Sequence, residues 1–127
     1  MPDRQLKILA IEDDRDNLHL LRLMLERAGH VFLGASSAPE GLELATRESP
    51  DLILLDIKMP GPFCGQEAIT RLKSAPETRD IKLIVQTAVA SDQVEAHVRA
   101  ARVDDFLRKP FSHRELLSTI ERHFSAS

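Results

Sequence analysis

Tryptophan and tyrosine are absent from this 127-residue chain, and phenylalanine occurs only five times. Side chains that stack on unpaired bases are therefore scarce, so no platform for single-stranded nucleic acid is expected. Cysteine occurs once, as Cys64. No internal disulfide can form, and a reducing cytoplasmic setting is expected. No apolar stretch approaches the roughly 20 residues that span a bilayer. Residues 1–7 lack the apolar core of a secretory signal. Neither sign of charge dominates: 17 Lys and Arg against 20 Asp and Glu leave a net charge of -3. That balance gives no electrostatic pull toward nucleic acid or an anionic membrane, and direct contact with either is not expected. The remaining composition is 43% hydrophobic, enough for one proper core at the usual size of a domain. No repeat, low-complexity tract or linker divides residues 1–127, which read as a single domain.

Strand-like and helix-like segments alternate along the chain. Leu6 to Ile11, Val31 to Ala35, Leu52 to Asp56, Ile81 to Gln86 and Asp105 to Leu107 are short apolar runs of strand character. Asn17 to Ala28 carries a broad helical face of Leu18, Leu21 and Leu25, and Gly29 stops it. Ser37 and Glu40 fit a capping box, with Pro39 tolerated in the first turn, for a helix ending near Glu48. Helices are also expected from about Gln66 to Ser74, from Ser91 to Ala101, and from Ser112 to Phe124, the last with the capping pair Ser112 and Glu115. Strands that alternate with helices predict an α/β domain whose parallel sheet is covered on both faces. Periodicity alone does not order the strands.

Functional groups gather at the C-terminal ends of these strands. The first strand ends in Glu12-Asp13-Asp14, the third in Asp56, the fourth in Thr87, and the fifth leads into Lys109-Pro110. In a parallel sheet those ends share one edge, where open α/β sheets bind ligands. Carboxylates crowded there repel and invite a cation. An all-oxygen donor set suits Mg²⁺, which retains waters and favours phosphates. Lys109 adds a point charge for phosphoryl oxygens and Thr87 a hydroxyl donor. An Asp beside Mg²⁺, Lys and a hydroxyl is a phosphoryl-acceptor arrangement, in which carboxylate attack forms an acyl phosphate.

Four fragments in this order resemble the CheY-like receiver domains of two-component response regulators. They are Ile8-Leu9-Ala10-Ile11-Glu12-Asp13-Asp14, Asp51 through Asp56 to Pro60, Thr87-Ala88, and Asp104-Asp105-Phe106-Leu107-Arg108-Lys109-Pro110-Phe111. The resemblance covers essentially the whole chain. It implies a flavodoxin-like doubly wound (βα)5 fold with a five-stranded parallel sheet in the order 2-1-3-4-5. It implies Asp56 as phosphoacceptor, Asp13 as direct Mg²⁺ ligand, Glu12 as its neighbour acting through water, and Lys58 as donor of a main-chain carbonyl to the metal. Thr87 matches the switch hydroxyl, Lys109 the phosphoryl-binding lysine in a cis peptide with Pro110, and Phe106 the aromatic switch. The implied phosphodonor is a phosphohistidine on a sensor histidine kinase or histidine phosphotransfer protein. The output is a changed preference for a downstream protein target on the face of the fourth helix, fifth strand and last helix. Such a chain is a phosphoacceptor signalling domain that assists its own phosphorylation and dephosphorylation, not an enzyme turning over a separate substrate. It is expected to act as a monomer or weak homodimer.

Taken singly, the same residues have plainer readings. Asp13 or Asp14 serves as a helix N-cap, Asp56 and Thr87 as strand ends, Lys109 as a solvated charge, and Phe106 as a half-core aromatic. Cys64 reads as an ordinary loop residue. His19, His30, His97, His113 and His123 show no metal-ligand spacing and are expected at the surface or at helix ends. Three alternatives stand beside the receiver reading. One is a phosphorylation-independent adaptor on the same fold, against which the full set of site residues argues. Another is a receiver excised from a hybrid kinase or longer regulator. The third is an Asp-nucleophile phosphatase, disfavoured because Lys58 stands where a second Asp would serve as general acid.

The chain departs from the family pattern at several positions. Four residues, Gly61-Pro62-Phe63-Cys64, separate Pro60 from Gly65, where the family usually has three. Arg102 replaces a common Gly. Phe106 lacks the hydroxyl of the commoner Tyr, so it can turn inward with no polar tip to satisfy. In the family, the positions of Lys58 and Val89 modulate hydrolysis of the acyl phosphate. Neither side chain orients an attacking water, so slow autodephosphorylation is expected. Phosphate release from purified, Mg²⁺-saturated phosphoprotein checks this, and rapid loss contradicts it.

Overall fold

Short runs of large aliphatics form the strands of a computed structural model that describes residues 5–57, 65–87, 96 and 103–124. The strands are β1 (Lys7–Ile11), β2 (Val31–Ala35), β3 (Leu52–Asp56), β4 (Lys82–Thr87) and β5 (Asp105–Arg108). They pair in parallel in the order β2-β1-β3-β4-β5. The flavodoxin-like doubly wound order expected for the chain is therefore the observed one. Helices among the described residues are α1 (Arg15–Arg27), α2 (Ala38–Glu48), α3 (Gly65–Ser74) and α4 (His113–Phe124). The helix expected over Ser91 to Ala101 falls, apart from Ala96, outside the described residues.

Period-2 alternation sends side chains of each strand to two separate cores. Leu9, Ile11, Ile53, Leu55, Leu83 and Val85 pack with Ala45 of α2 and with Ile69 and Leu72 of α3. Ile8, Ala10, Leu52, Leu54 and Ile84 pack on the opposite face with Leu21 and Leu25 of α1 and Leu116 and Ile120 of α4. Every residue of β3 is buried, because it is the middle strand of the sheet. Fully burying a Leu or Ile is worth about 1.5–3 kcal/mol, so these two layers fix the register that aligns the strand ends. Gly41 lets α2 lie close on β1: a Cβ there would collide with the buried Ile11 side chain.

Helix ends follow local chemistry. Asp14 caps α1, its Oδ1 accepting from the N–H groups of Asp16 (2.9 Å) and Asn17 (3.2 Å). The helix consequently starts at Arg15, one turn-fraction earlier than hydrophobic spacing indicates. Gly29, at φ +94°, ends it. The Gly29 N–H donates to the Glu26 carbonyl and the His30 N–H to the Leu25 carbonyl, both at 3.0 Å, a Schellman arrangement. Ser112 and Glu115 form the reciprocal capping box expected before α4. At α2 the box is shifted: Ser37 Oγ accepts from the Glu40 N–H, but Glu40 Oε1 reaches the N–H of Ser36 at 2.7 Å.

His30 lies at the end of α1, one of the two positions expected for it, but not at the surface. It is buried, 5% exposed, at the end of the sheet away from the acidic residues. Its Nδ1 accepts a hydrogen bond from the Leu6 N–H at 3.1 Å. That acceptor role needs the neutral ring, and burial lowers the pKa below the ordinary histidine value of 6.5. The unfolded chain therefore takes up the proton first as pH falls. His30 contributes stability above about pH 6.5 that is lost on acidification through the lowered folded-state value. Chemical denaturation at pH 8 and pH 5 is expected to show wild type losing more stability than His30→Leu over that interval. Parallel losses in the two proteins contradict the assignment.

Candidate functional site

Register brings the predicted residues together. Ile11 and Leu55 are partners in the β1–β3 ladder, and Asp56 is opposite Gln86 in the β3–β4 ladder. Glu12 follows β1 and holds its place through its N–H, which donates to the Ala35 carbonyl at 2.9 Å. Ile57 N–H continues the ladder past β3 onto the Gln86 carbonyl at 3.0 Å. On the far side, Lys109 N–H donates to the Thr87 carbonyl at 2.8 Å, which tethers the segment after β5 to the end of β4. The Lys109-Pro110 peptide is cis.

This frame directs Lys109 Nζ between two carboxylates. It lies 2.6 Å from Glu12 Oε1 and 3.0 Å from Asp56 Oδ2. Both acids are buried, Glu12 at 1% and Asp56 at 6% exposure. Asp13, which is exposed, completes a group in which one carboxylate oxygen from each of Glu12, Asp13 and Asp56 lies within 4.8 Å of the others. Asn17, on the first turn of α1, donates from Nδ2 to Glu12 Oε1 at 3.2 Å. Thr87 is fully buried at the end of β4. Alternation turns its side chain to the α3 face, whereas Asp56 and Gln86 turn toward α1. Phe106 is half-buried and packs on the core cluster that contains Val85, its register partner. Lys58, Cys64, Val89 and Arg102 lie outside the described residues.

The electrostatics follow from crowding and burial. Burial pushes the Glu12 carboxyl up to about 7, and its hydrogen bond with Asp56 adds to the rise, against the opposing pull of Lys109. Burial alone would lower the Lys109 pKa. Its hydrogen bonds to Glu12 and Asp56 outweigh that, and the net direction is upward. The ammonium is thus held charged where a developing anion would meet it.

The residues fit a hard divalent cation. Glu12 Oε2 is buried and has no hydrogen-bond partner among the described residues, which leaves a carboxyl oxygen of the acidic cluster unsatisfied. The donor set is all oxygen, as Mg²⁺ prefers. Two further residues of the site are not obvious from motif spacing. Asn17 reads in sequence as the start of a helical face. Gln86 reads as the end of a buried strand, although it is the lone amide in Leu83-Ile84-Val85-Gln86. Its Nε2 is buried without a hydrogen-bond partner among the described residues.

Residues 8–121 match the family model described as the response regulator receiver domain. The protein PilH of Pseudomonas aeruginosa is 37% identical over 116 residues, covering 90% of this chain and 93% of PilH. The polar-differentiation response regulator DivK of Brucella ovis is 33% identical, covering 91% and 94% of the two chains. Among solved structures, a CheY-like receiver domain from Methanospirillum hungatei superposes with a TM-score of 0.88 at 29% identity, over 95% of this chain and 94% of that one. The receiver domain of the Pseudomonas aeruginosa sensor histidine kinase PA1611 has a TM-score of 0.85 at 26% identity, over 94% and 97%, and holds a magnesium ion in its active-site cleft. With this fold, these strand-end acids and this family match, the chain belongs to the response regulator receiver domains of two-component signalling.

Proposed function

We propose that this receiver accepts a phosphoryl group from a phosphohistidine onto Asp56. A sensor histidine kinase or a histidine phosphotransfer protein would present the donor. Asp56 Oδ attacks phosphorus, the P–O bond forms, and the P–N bond to the imidazole breaks with its electron pair returning to the ring nitrogen. Charge spreads over the three equatorial oxygens in this transition. Mg²⁺, held by Glu12, Asp13, Asp56 and the main-chain carbonyl of Lys58, would neutralise part of that charge. Lys109 transfers its ammonium contact from the Asp56 carboxylate to a phosphoryl oxygen, and Asn17 keeps Glu12 oriented. The observation that carries this reading is the Lys109 ammonium bridging Glu12 and Asp56 at 2.6 and 3.0 Å.

The product adds a charge of about -1.5 to -2. Thr87 follows it by hydrogen bonding to the phosphoryl group, and Phe106 turns into the space that movement vacates. The surface around β5 and α4 then changes its preference for a protein target. This is a local charge change that biases a two-state element.

Intact-mass spectrometry after incubation with acetyl phosphate and Mg²⁺ tests the reading. Wild type is expected to gain the mass of one phosphoryl group. Asp56→Asn is expected to gain none, and chelation of Mg²⁺ to suppress the gain at least tenfold. A full adduct on Asp56→Asn, or none on wild type, contradicts it.

A further inference from the structure

A cleft of about 360 Å³ opens beside the acidic cluster, between α1 and the segment after β5. Leu20, Leu21 and Met24 of α1 form one wall, and Pro110 and Phe111 face them. Glu12, Asn17 and Lys109 stand at its polar end, where it meets the site already described. Gln86 also lines it.

Gln86 distinguishes this cleft from a simple packing gap. It is only 1% exposed, yet its Nε2 donates to nothing among the described residues. Every neighbour along β4 from Leu83 to Val85 is an aliphatic buried in one of the two cores. An aliphatic at position 86 would satisfy the same packing without the desolvation cost of a buried amide. Leu20, on the wall, is 52% exposed, so the cleft is reachable from solvent. Its volume lies in the range of small-molecule sites, which pair apolar walls with a few convergent polar groups.

We infer that the cleft binds a small molecule with a flat or compact apolar body and a carbonyl oxygen. The body lies between Leu20, Met24 and Phe111, and the carbonyl accepts from Gln86 Nε2 once the side chain, buried in the unliganded protein, rotates its amide into the cleft. Because Glu12 and Lys109 belong both to the cleft and to the acidic cluster, an occupant there sits in contact with the phosphoacceptor machinery. The inference goes beyond the phosphoacceptor reading and does not require it.

Benzamide is a suitable probe, with an aryl ring and one amide carbonyl. Backbone amide NMR of the full chain, titrated with benzamide without Mg²⁺ or phosphodonor, reads binding independently of phosphorylation. Saturable shifts are expected at α1, Gln86 and Phe111, with a Kd on the order of 1–10 mM, as suits so small a ligand. Gln86→Leu is expected to weaken binding about fivefold to tenfold through the lost hydrogen bond. Leu20→Ser, an exposed change that leaves the fold intact, is expected to weaken it about threefold or more. Absence of saturable shifts, saturation at residues elsewhere, or equal affinity in wild type and both variants overturns the inference. If Gln86→Leu does not fold, the Leu20→Ser result decides alone.

Discussion

One ammonium between two buried carboxylates holds this site in its geometry. Glu12 and Asp56 end neighbouring strands and face each other in a region from which water is largely excluded. Two anions less than 5 Å apart repel by on the order of 3 kcal/mol at an effective dielectric of about 20. Lys109 offsets that repulsion from the third side. It can do so because its own N–H is tied to the Thr87 carbonyl, so the chain after β5 is anchored to β4. Burial still pushes the Glu12 carboxyl up to about 7, and the hydrogen bond and charge of Asp56 add to the rise against the pull of Lys109. Three carboxylates around one ammonium are the arrangement on which the proposed capture of a cation and a phosphoryl group rests.

The sheet supplies the precision. Two aliphatic layers lock the strands in register, and a slip of one residue would turn Asp56 toward α3. Register also explains why the functional groups divide between two faces. Asp56 and Gln86 look toward α1, whereas Thr87 looks toward α3 and lies on the same side as Phe106. In the proposed function, a change at Asp56 would cross the end of β4 to reach the β5 surface, with Thr87 at that crossing.

Much of this was legible in the chain itself. β2 and β3 run where their apolar residues begin and end, and the Ser112–Glu115 box forms as its spacing implies. The strand-end acids were legible because a carboxylate after four aliphatics is conspicuous. The burial of His30 was not, because it depends on the Schellman turn folding the ring under β1 and onto the Leu6 N–H, a contact 24 residues away in sequence. Asn17 was hidden for a similar reason: Asp14 starts the helix early enough to bring Asn17 back over Glu12. Gln86 could be seen as the odd residue of its strand. That its amide nitrogen lacks a partner depends on how α1 and the Lys109–Phe111 segment pack above it, which no local pattern encodes.

A crystal structure of the protein grown with Mg²⁺ and beryllium trifluoride, a mimic of a phosphoryl group, bears most directly on this account. The account predicts the beryllium bonded to an Asp56 oxygen, Lys109 Nζ moved from the Asp56 carboxylate onto a fluorine, and the metal between Asp13 and Asp56. An Asp56 carboxylate left unmodified under saturating conditions, with Lys109 still bridging Glu12 and Asp56, would contradict it.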